Sequence, residues 1–140
     1  MQIQNLSIGL DLGGTKIEVI VLSSEGTTQL RERMPTPAKL DYETEKEQYQ
    51  AIISAIKSLI HYCEEKLKYS FQSFGIGIPG AISPATGLVK NANTTCLIGQ
   101  AFQQDLESAF NNTKSISVAN DADCFVLSEA KDGAAKGANA

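Results

Sequence analysis

Two short apolar runs, Leu6–Leu12 (LSIGLDL) and Ile17–Leu22 (IEVIVL), are separated only by Gly13-Gly14-Thr15-Lys16. Runs of this length bounded by paired glycines read as strands joined by a tight turn. Ser24–Gly26 reads as the next turn, and Thr27–Met34 as a third, more polar strand near an edge, ended by Pro35 and Pro37. A chain that opens strand, turn, strand, turn, strand is committed to an antiparallel meander.

A helix follows. Asp41 or Thr44 supplies its cap, and Glu47, three residues after Thr44, completes a capping box. Tyr49, Ile52, Ile53, Ile56, Leu59, Ile60, Cys63 and Leu67 then recur at the helical period and form one apolar face. The only histidine, His61, falls beside that face and reads as a solvent-side residue. Phe71–Ile78 is the next strand, broken by Pro79-Gly80. A loop over 81–99 holds a turn at Ser83–Gly87 and the polar cluster Asn91-Ala92-Asn93-Thr94-Thr95. Ala101–Phe110 has the spacing of a short helix and Ser115–Ala119 that of a strand. Asn120 then caps a helix running through Lys131. The order β-β-β-α-β-α-β-α fits one α/β domain built on a mixed sheet.

Composition narrows the function class. With 140 residues, 42% of them hydrophobic, one sizeable core is expected and two are not. No apolar run approaches the roughly 20 residues of a membrane helix, and no basic-then-apolar leader opens the chain. The expectation is a cytoplasmic domain with no membrane partner. Cys63, Cys96 and Cys124 lie far apart without a CxxC pair, which points away from a disulfide framework. A net charge of −4 without a Lys/Arg cluster argues against nucleic acid as a partner.

Three segments carry candidate chemistry. In Asp11-Leu12-Gly13-Gly14-Thr15-Lys16, glycines admit a close-lying ligand and consecutive amides converge on an anion, with a hydroxyl and a cation beside them. Asp11 at the strand end suits a hydrated Mg²⁺. A glycine-rich hairpin with a solvated Lys16 is the competing reading, and spacing alone leaves both open. Gly75, Gly77 and Gly80 satisfy GxGxxG, but Pro79 and Ser83-Pro84 prevent the helix that a dinucleotide site requires. Those glycines are better explained by close passage of a strand end past another backbone or a ligand. Asn120-Asp121-Ala122-Asp123 sits at a strand-to-helix junction, where a carboxylate can take a proton from a hydroxyl and a carboxamide can grip a second one. Capping of the helix explains the same residues and is compatible with catalysis.

Together these segments resemble the N-terminal lobe of sugar kinases of the ROK family, within the ribonuclease-H-like (actin-like ATPase) superfamily. GLDLGGTK (Gly9–Lys16) is similar to the family's first phosphate motif, and GIGIPGAISPATGLVKNANTT (Gly75–Thr95) to its sugar-site loops. VANDADCFVLSEAKDGAAKGA (Val118–Ala138) resembles its catalytic-aspartate segment. The middle stretch looks most like bacterial fructokinases of this family, with N-acetylglucosamine kinases and glucokinases as close relatives. The resemblance implies ATP-dependent phosphorylation of a hexose, fructose being favoured. Asp121 would be the catalytic base, with Gly80, Asn93, Thr94, Asn120 and Asp121 along the sugar. Gly9, Asp11, Gly13, Gly14, Thr15 and Lys16 would surround the ATP phosphates, and Asp11 would hold Mg²⁺ through water.

There are departures from the family pattern. Asp123 stands where the family usually has Asn, placing a second carboxylate near Asp121, and Cys96 replaces an aromatic residue after the Asn-Thr loop. Cys96 reads as a small packing residue. The family's second phosphate motif, its CxCGxxGCxE zinc cluster and its second, adenosine-holding lobe do not occur in 1–140. The three cysteines present cannot assemble that zinc site, so zinc is expected only in the missing C-terminal part. Residues 1–140 therefore read as one lobe of a two-lobed kinase, inactive or nearly so by itself; the sequence does not give the oligomeric state, and the resemblance leaves a homodimer open for the full-length protein. Two other readings are a non-catalytic sugar-binding or assembly module, and a sensor domain of a ROK-type repressor. The repressor is disfavoured because only eight residues precede Gly9.

Overall fold

A computed structural model describes residues 5–78, 81–83, 85–90 and 95–120. Strands β1 (Leu6–Leu12), β2 (Lys16–Ser23) and β3 (Thr28–Pro35) form the meander, and the helix α1 (Glu45–Leu67) leads into β4 (Ser73–Ile78). Two-residue strands β5 (Ala81–Ile82) and β6 (Val89–Lys90) pair antiparallel with each other. Helix α2 (Phe102–Ala109) then leads to β7 (Ser115–Asn120). The main sheet is mixed, in the order β3-β2-β1-β4-β7. β1, β4 and β7 run parallel at its centre and one edge. The expected fold class, an α/β domain of ribonuclease-H-like type with a three-stranded meander followed by alternating helices and strands, is the one observed.

Alternation along β1 explains how the sheet is seated. Ile8, Leu10 and Leu12 point to one face and are at most 4% exposed. Their cross-strand partners Val21, Val19 and Ile17 share that face. Phe74, Ile76, Ile78 and Ile116 extend it across β4 and β7. Against it lies the apolar stripe of α1, with Tyr49, Ile52, Ile56, Ile60 and Cys63 in the same core. Both parallel crossovers, β3-α1-β4 and β4-α2-β7, move in the same direction across the sheet. Right-handed connection therefore puts both helices on one face.

Local signals account for the element ends. Thr44 Oγ1 accepts from the Glu47 amide at 3.1 Å while Glu47 reaches back to the Thr44 amide at 3.3 Å, the expected capping box. The β2–β3 turn closes through Gly26 at φ 85°, a conformation that favours glycine. β3 runs one residue past the expected end and includes Pro35, tolerable because β3 is an edge strand. The stretch 81–99, expected to be a loop, instead contains the β5–β6 hairpin and a 3₁₀ turn at Thr95–Leu97. Two-residue strands carry too little alternation to be read from sequence. The turn at Ser83–Gly87 is present, closed by the Gly87 amide on the Ser83 carbonyl at 2.8 Å. Extended backbone at Ala81–Ile82 shows that no helix opens after the GxGxxG pattern there. The helix expected over 120–131 lies beyond Asn120, outside the described residues.

Candidate functional site

The β1–β2 connection is closed by the Gly13 amide donating to the Lys16 carbonyl at 3.0 Å. One of the amides expected to face an anion is therefore used inside the turn. The Gly14 and Thr15 amides donate to nothing among the described residues, and Gly14, Thr15 and Lys16 are exposed. A Cβ at Gly13 would lie 3.0 Å from the Lys16 carbonyl, whereas one at Gly14 would meet nothing within 4 Å. A side chain at Gly13 would thus crowd the turn, whereas Gly14 keeps the outer side open to an approaching group. The Lys16 ammonium makes no ion pair among the described residues.

Asp11 and Gly9 lie on the face of β1 opposite the core. Register puts Asp11 beside Glu18 of β2 and Gly77 of β4, and Gly9 beside Ile20 and Gly75. Glu18 is matched by Arg31 at 3.3 Å, so its charge is compensated from β3. Asp11 differs: its Oδ1 is buried and has no hydrogen-bond partner among the described residues. A buried carboxylate oxygen left without a donor is costly unless a cation or water meets it. This hard, unsatisfied oxygen fits a Mg²⁺ held directly or through water. Among the described residues, no three His, Cys, Asp or Glu side chains converge as a metal site. At Gly75, a Cβ would meet only the Ser117 carbonyl at 3.9 Å, an ordinary contact. The close-passage explanation is therefore not needed at that glycine.

The topology aligns the strands that precede the expected segments. β1, β4 and β7 are parallel, with Asp11 aligned to Gly77 and Ile78 to Asn120. Their C-terminal ends, at Leu12, Ile78 and Asn120, therefore lie at the same end of the sheet. In open α/β sheets that end of the strands is where ligands bind. Gly80, Asn93, Thr94 and Asp121 themselves lie outside the described residues, as do Asp123 and Cys124. Residues 91–94 are nonetheless flanked by anchors. Val89 is 2% exposed and its backbone pairs with Gly99 and Gln100, while Cys96 and Leu97 are 2% and 0% exposed. Burial raises the Cys96 thiol above its ordinary value, with the Glu45 carboxylate adding to the effect. Cys96 is a packing residue, as expected from sequence, and His61 is exposed, stacked on Phe110 with ring centroids 6.1 Å apart.

One part of the site was not foreseen. Thr36, just past β3, donates from Oγ1 to the Gly13 carbonyl at 2.8 Å and from its amide to the Thr15 carbonyl at 3.0 Å. Gln48 of α1 donates to the Pro37 carbonyl at 3.0 Å. In the sequence, Pro35 and Pro37 signal only the end of the strand. A threonine held between two rigid residues was the available signal.

A mixed sheet in the order β3-β2-β1-β4-β7, with a glycine turn at the C-terminal end of β1, has the ribonuclease-H-like, actin-like fold. The chain belongs to the ROK family, whose sequence profile matches residues 7–140. It is 36% identical over 124 residues to an N-acetyl-D-glucosamine kinase of Pasteurella multocida, covering 89% of this chain and 37% of that protein. A Haemophilus influenzae N-acetyl-D-glucosamine kinase is 34% identical over 124 residues with the same coverage. The chain thus spans well under half the length of these curated relatives. Among solved structures, a ROK family glucokinase from Streptomyces griseus, in complex with glucose and AMPPNP, superposes with a TM-score of 0.65 at 24% identity. The match covers 84% of this chain and 34% of that one. An inorganic polyphosphate/ATP-glucomannokinase from Arthrobacter superposes with a TM-score of 0.69 at 24% identity, covering 94% and 50%. These two likenesses concern the fold. Among the described residues, no helix is long and apolar enough to cross a membrane.

Proposed function

We propose that the full-length protein transfers the γ-phosphoryl group of ATP to a hexose hydroxyl, and that this chain is its N-terminal lobe. In this reading Asp121 takes the proton from the acceptor hydroxyl as the new O–P bond forms, while ADP leaves with the electrons of the broken bond. Asn120 holds a neighbouring hydroxyl, and Gly80, Asn93 and Thr94 line the sugar. Gly13, Gly14, Thr15 and Lys16 face the phosphates, with Gly9 behind them, and Asp11 holds Mg²⁺, which screens phosphate charge when bound. A sugar hydroxyl is a weak nucleophile, so most of the catalysis lies in alignment and charge compensation.

The observation that supports this reading is the shared strand edge. There the open side of the Gly14 turn and the unsatisfied Asp11 Oδ1 adjoin the ends of β4 and β7. Fructose is the acceptor favoured by the wording of Ile78–Phe102, from IPGAISP through KNAN to IGQAF. N-acetyl-D-glucosamine is the second reading, favoured by the 36% identity to a kinase of that sugar. A coupled ADP-release assay with fructose, N-acetyl-D-glucosamine, glucose and mannose ranks the acceptors. Asp121→Ala is expected to abolish turnover while sugar binding largely survives, and near-normal turnover in that variant would sink the proposal. Residues 1–140 alone are expected to show little or no turnover, because the second phosphate motif and the adenosine side are not in them.

A further inference from the structure

We infer that Thr36 is a positioning residue for the phosphate turn, and that Gln48 fixes Thr36 from behind; this rests on the proposed phosphate role of residues 13–16. Apart from tyrosine and cysteine, Thr36 and Gln48 are the two polar residues buried as a whole among the described residues, each 5% exposed. They belong to one chain of contacts. Gln48, in the first turns of α1, donates to the Pro37 carbonyl, and Thr36 beside it grips the carbonyls of Gly13 and Thr15. Pro35 and Pro37 fix the backbone on either side and carry no N–H to compete for those acceptors.

The consequence follows from peptide planarity. In a trans peptide the C=O and the N–H of one plane point in opposite directions. Holding the Gly13 carbonyl toward Thr36 therefore turns the Gly14 N–H away from it. Holding the Thr15 carbonyl does the same for the Lys16 N–H. The Gly14 amide has no acceptor among the described residues and sits on an exposed residue. Nothing at Gly14 itself holds this orientation, since it lacks a side chain and open space surrounds it. The restraint comes from Thr36, 23 residues beyond the Gly13 whose carbonyl it holds. Donors that are already aimed save the cost of ordering them when an anion arrives.

The test uses the full-length protein with Thr36→Val, Thr36→Ser and Gln48→Met. Losing one buried hydrogen bond of this kind corresponds to a change of roughly 5- to 10-fold in binding. Thr36→Val is expected to raise the KM for ATP by about that factor, with the KM for the hexose unchanged. Thr36→Ser, which keeps the hydroxyl, is expected to return the ATP value to within about twofold, and Gln48→Met to show a smaller rise of the same kind. In parallel, the isotope-labelled Gly14 amide resonance is followed as ATP is added. A wild-type Gly14 resonance that ignores ATP while turnover proceeds overturns the phosphate-turn reading itself. A normal wild-type response with an ATP KM unchanged in Thr36→Val overturns only the role of Thr36. Thr36→Ser as impaired as Thr36→Val, or ATP and hexose KM rising together, also overturns it, because the residue would then act only on the fold. Should Thr36→Val not fold, Gln48→Met and Thr36→Ser carry the same comparison.

Discussion

Lys114→Met isolates the most buried ion pair of the described residues. Lys114 Nζ donates to Glu64 Oε2 at 2.6 Å and to the Phe71 carbonyl, and the same Glu64 oxygen accepts from the Phe71 amide at 2.9 Å. The ammonium also lies 5.7 Å from the centre of the Phe110 ring. The two side chains are 9% and 17% exposed, so water cannot easily replace either partner. Methionine keeps the stem but strands the carboxylate. Breaking a fully buried pair costs about 3–5 kcal/mol. Glu64 retains the Phe71 amide and some solvent, so the cost falls to or below the low end of that range, about 2–3 kcal/mol including the lost cation–π contact. Adding Glu64→Gln to Lys114→Met removes the stranded charge and keeps an acceptor for Phe71, and should restore about 1 kcal/mol. Urea unfolding of the wild type, both single variants and the double variant gives the coupling energy, measured again in about 1 M salt, where exposed pairs are screened within about 3 Å. A coupling below about 0.5 kcal/mol, or one that disappears in salt, refutes the reasoning, because that is how a surface pair behaves. The pair ties the entries to β4 and β7, the ends remote from the ligand edge. Substrate KM values should therefore not move.

Other outcomes follow from burial and backbone geometry. Burial, then the carboxylates of Glu32 and Glu64, push the Cys63 thiol from the ordinary 9.0 up to about 11. Its alkylation near pH 8 should be about 100-fold slower than that of a free thiol until the protein unfolds. The folded state holds this proton more tightly than the unfolded one, so stability is intact below pH 9.0 and falls toward about pH 11. Urea midpoints should trace that fall, more shallowly in Cys63→Ala. Tyr49 contributes in the same direction, its phenol raised by burial and by its 2.5 Å bond to Asp105. Lys68 ends α1 at φ 53°, where its side chain is strained. Lys68→Gly should raise stability by about 0.5–1 kcal/mol, and a lower thermal midpoint would contradict the assignment of strain there.

Periodicity made most of the framework legible. The alternation in LSIGLDL, the helical repeat from Tyr49 to Cys63 and the Thr44–Glu47 cap are local signals, and each element formed where its signal lay. What was hidden depends on partners distant in sequence. Nothing near Gly13 indicates that its amide closes the turn, or that its carbonyl is taken by Thr36. Nothing near Glu64 announces Lys114. The β5–β6 hairpin is two residues deep and owes its position to the neighbouring chain, including the Val89 amide on Gln100 at 3.0 Å. Of the site, the glycine turn and Asp11 were marked by composition. The exposure of the Gly14 amide and the unmet Asp11 oxygen became visible only when the strands were laid side by side.

β1 carries two messages in one strand. Its even-numbered residues from Ile8 to Leu12 glue the sheet to α1, and its odd-numbered residues present Gly9 and Asp11 on the other face. Because strand side chains repeat every second residue, a slip of one position exchanges the two sets completely. A misregistered lobe would drive the Asp11 carboxylate into the core and expose Leu10. A one-residue slip therefore cannot leave the packing right and the site wrong. Against such a slip the strand proofreads itself: the alignment that buries Ile8, Leu10 and Leu12 is the one that sets the Asp11 carboxylate on the opposite face.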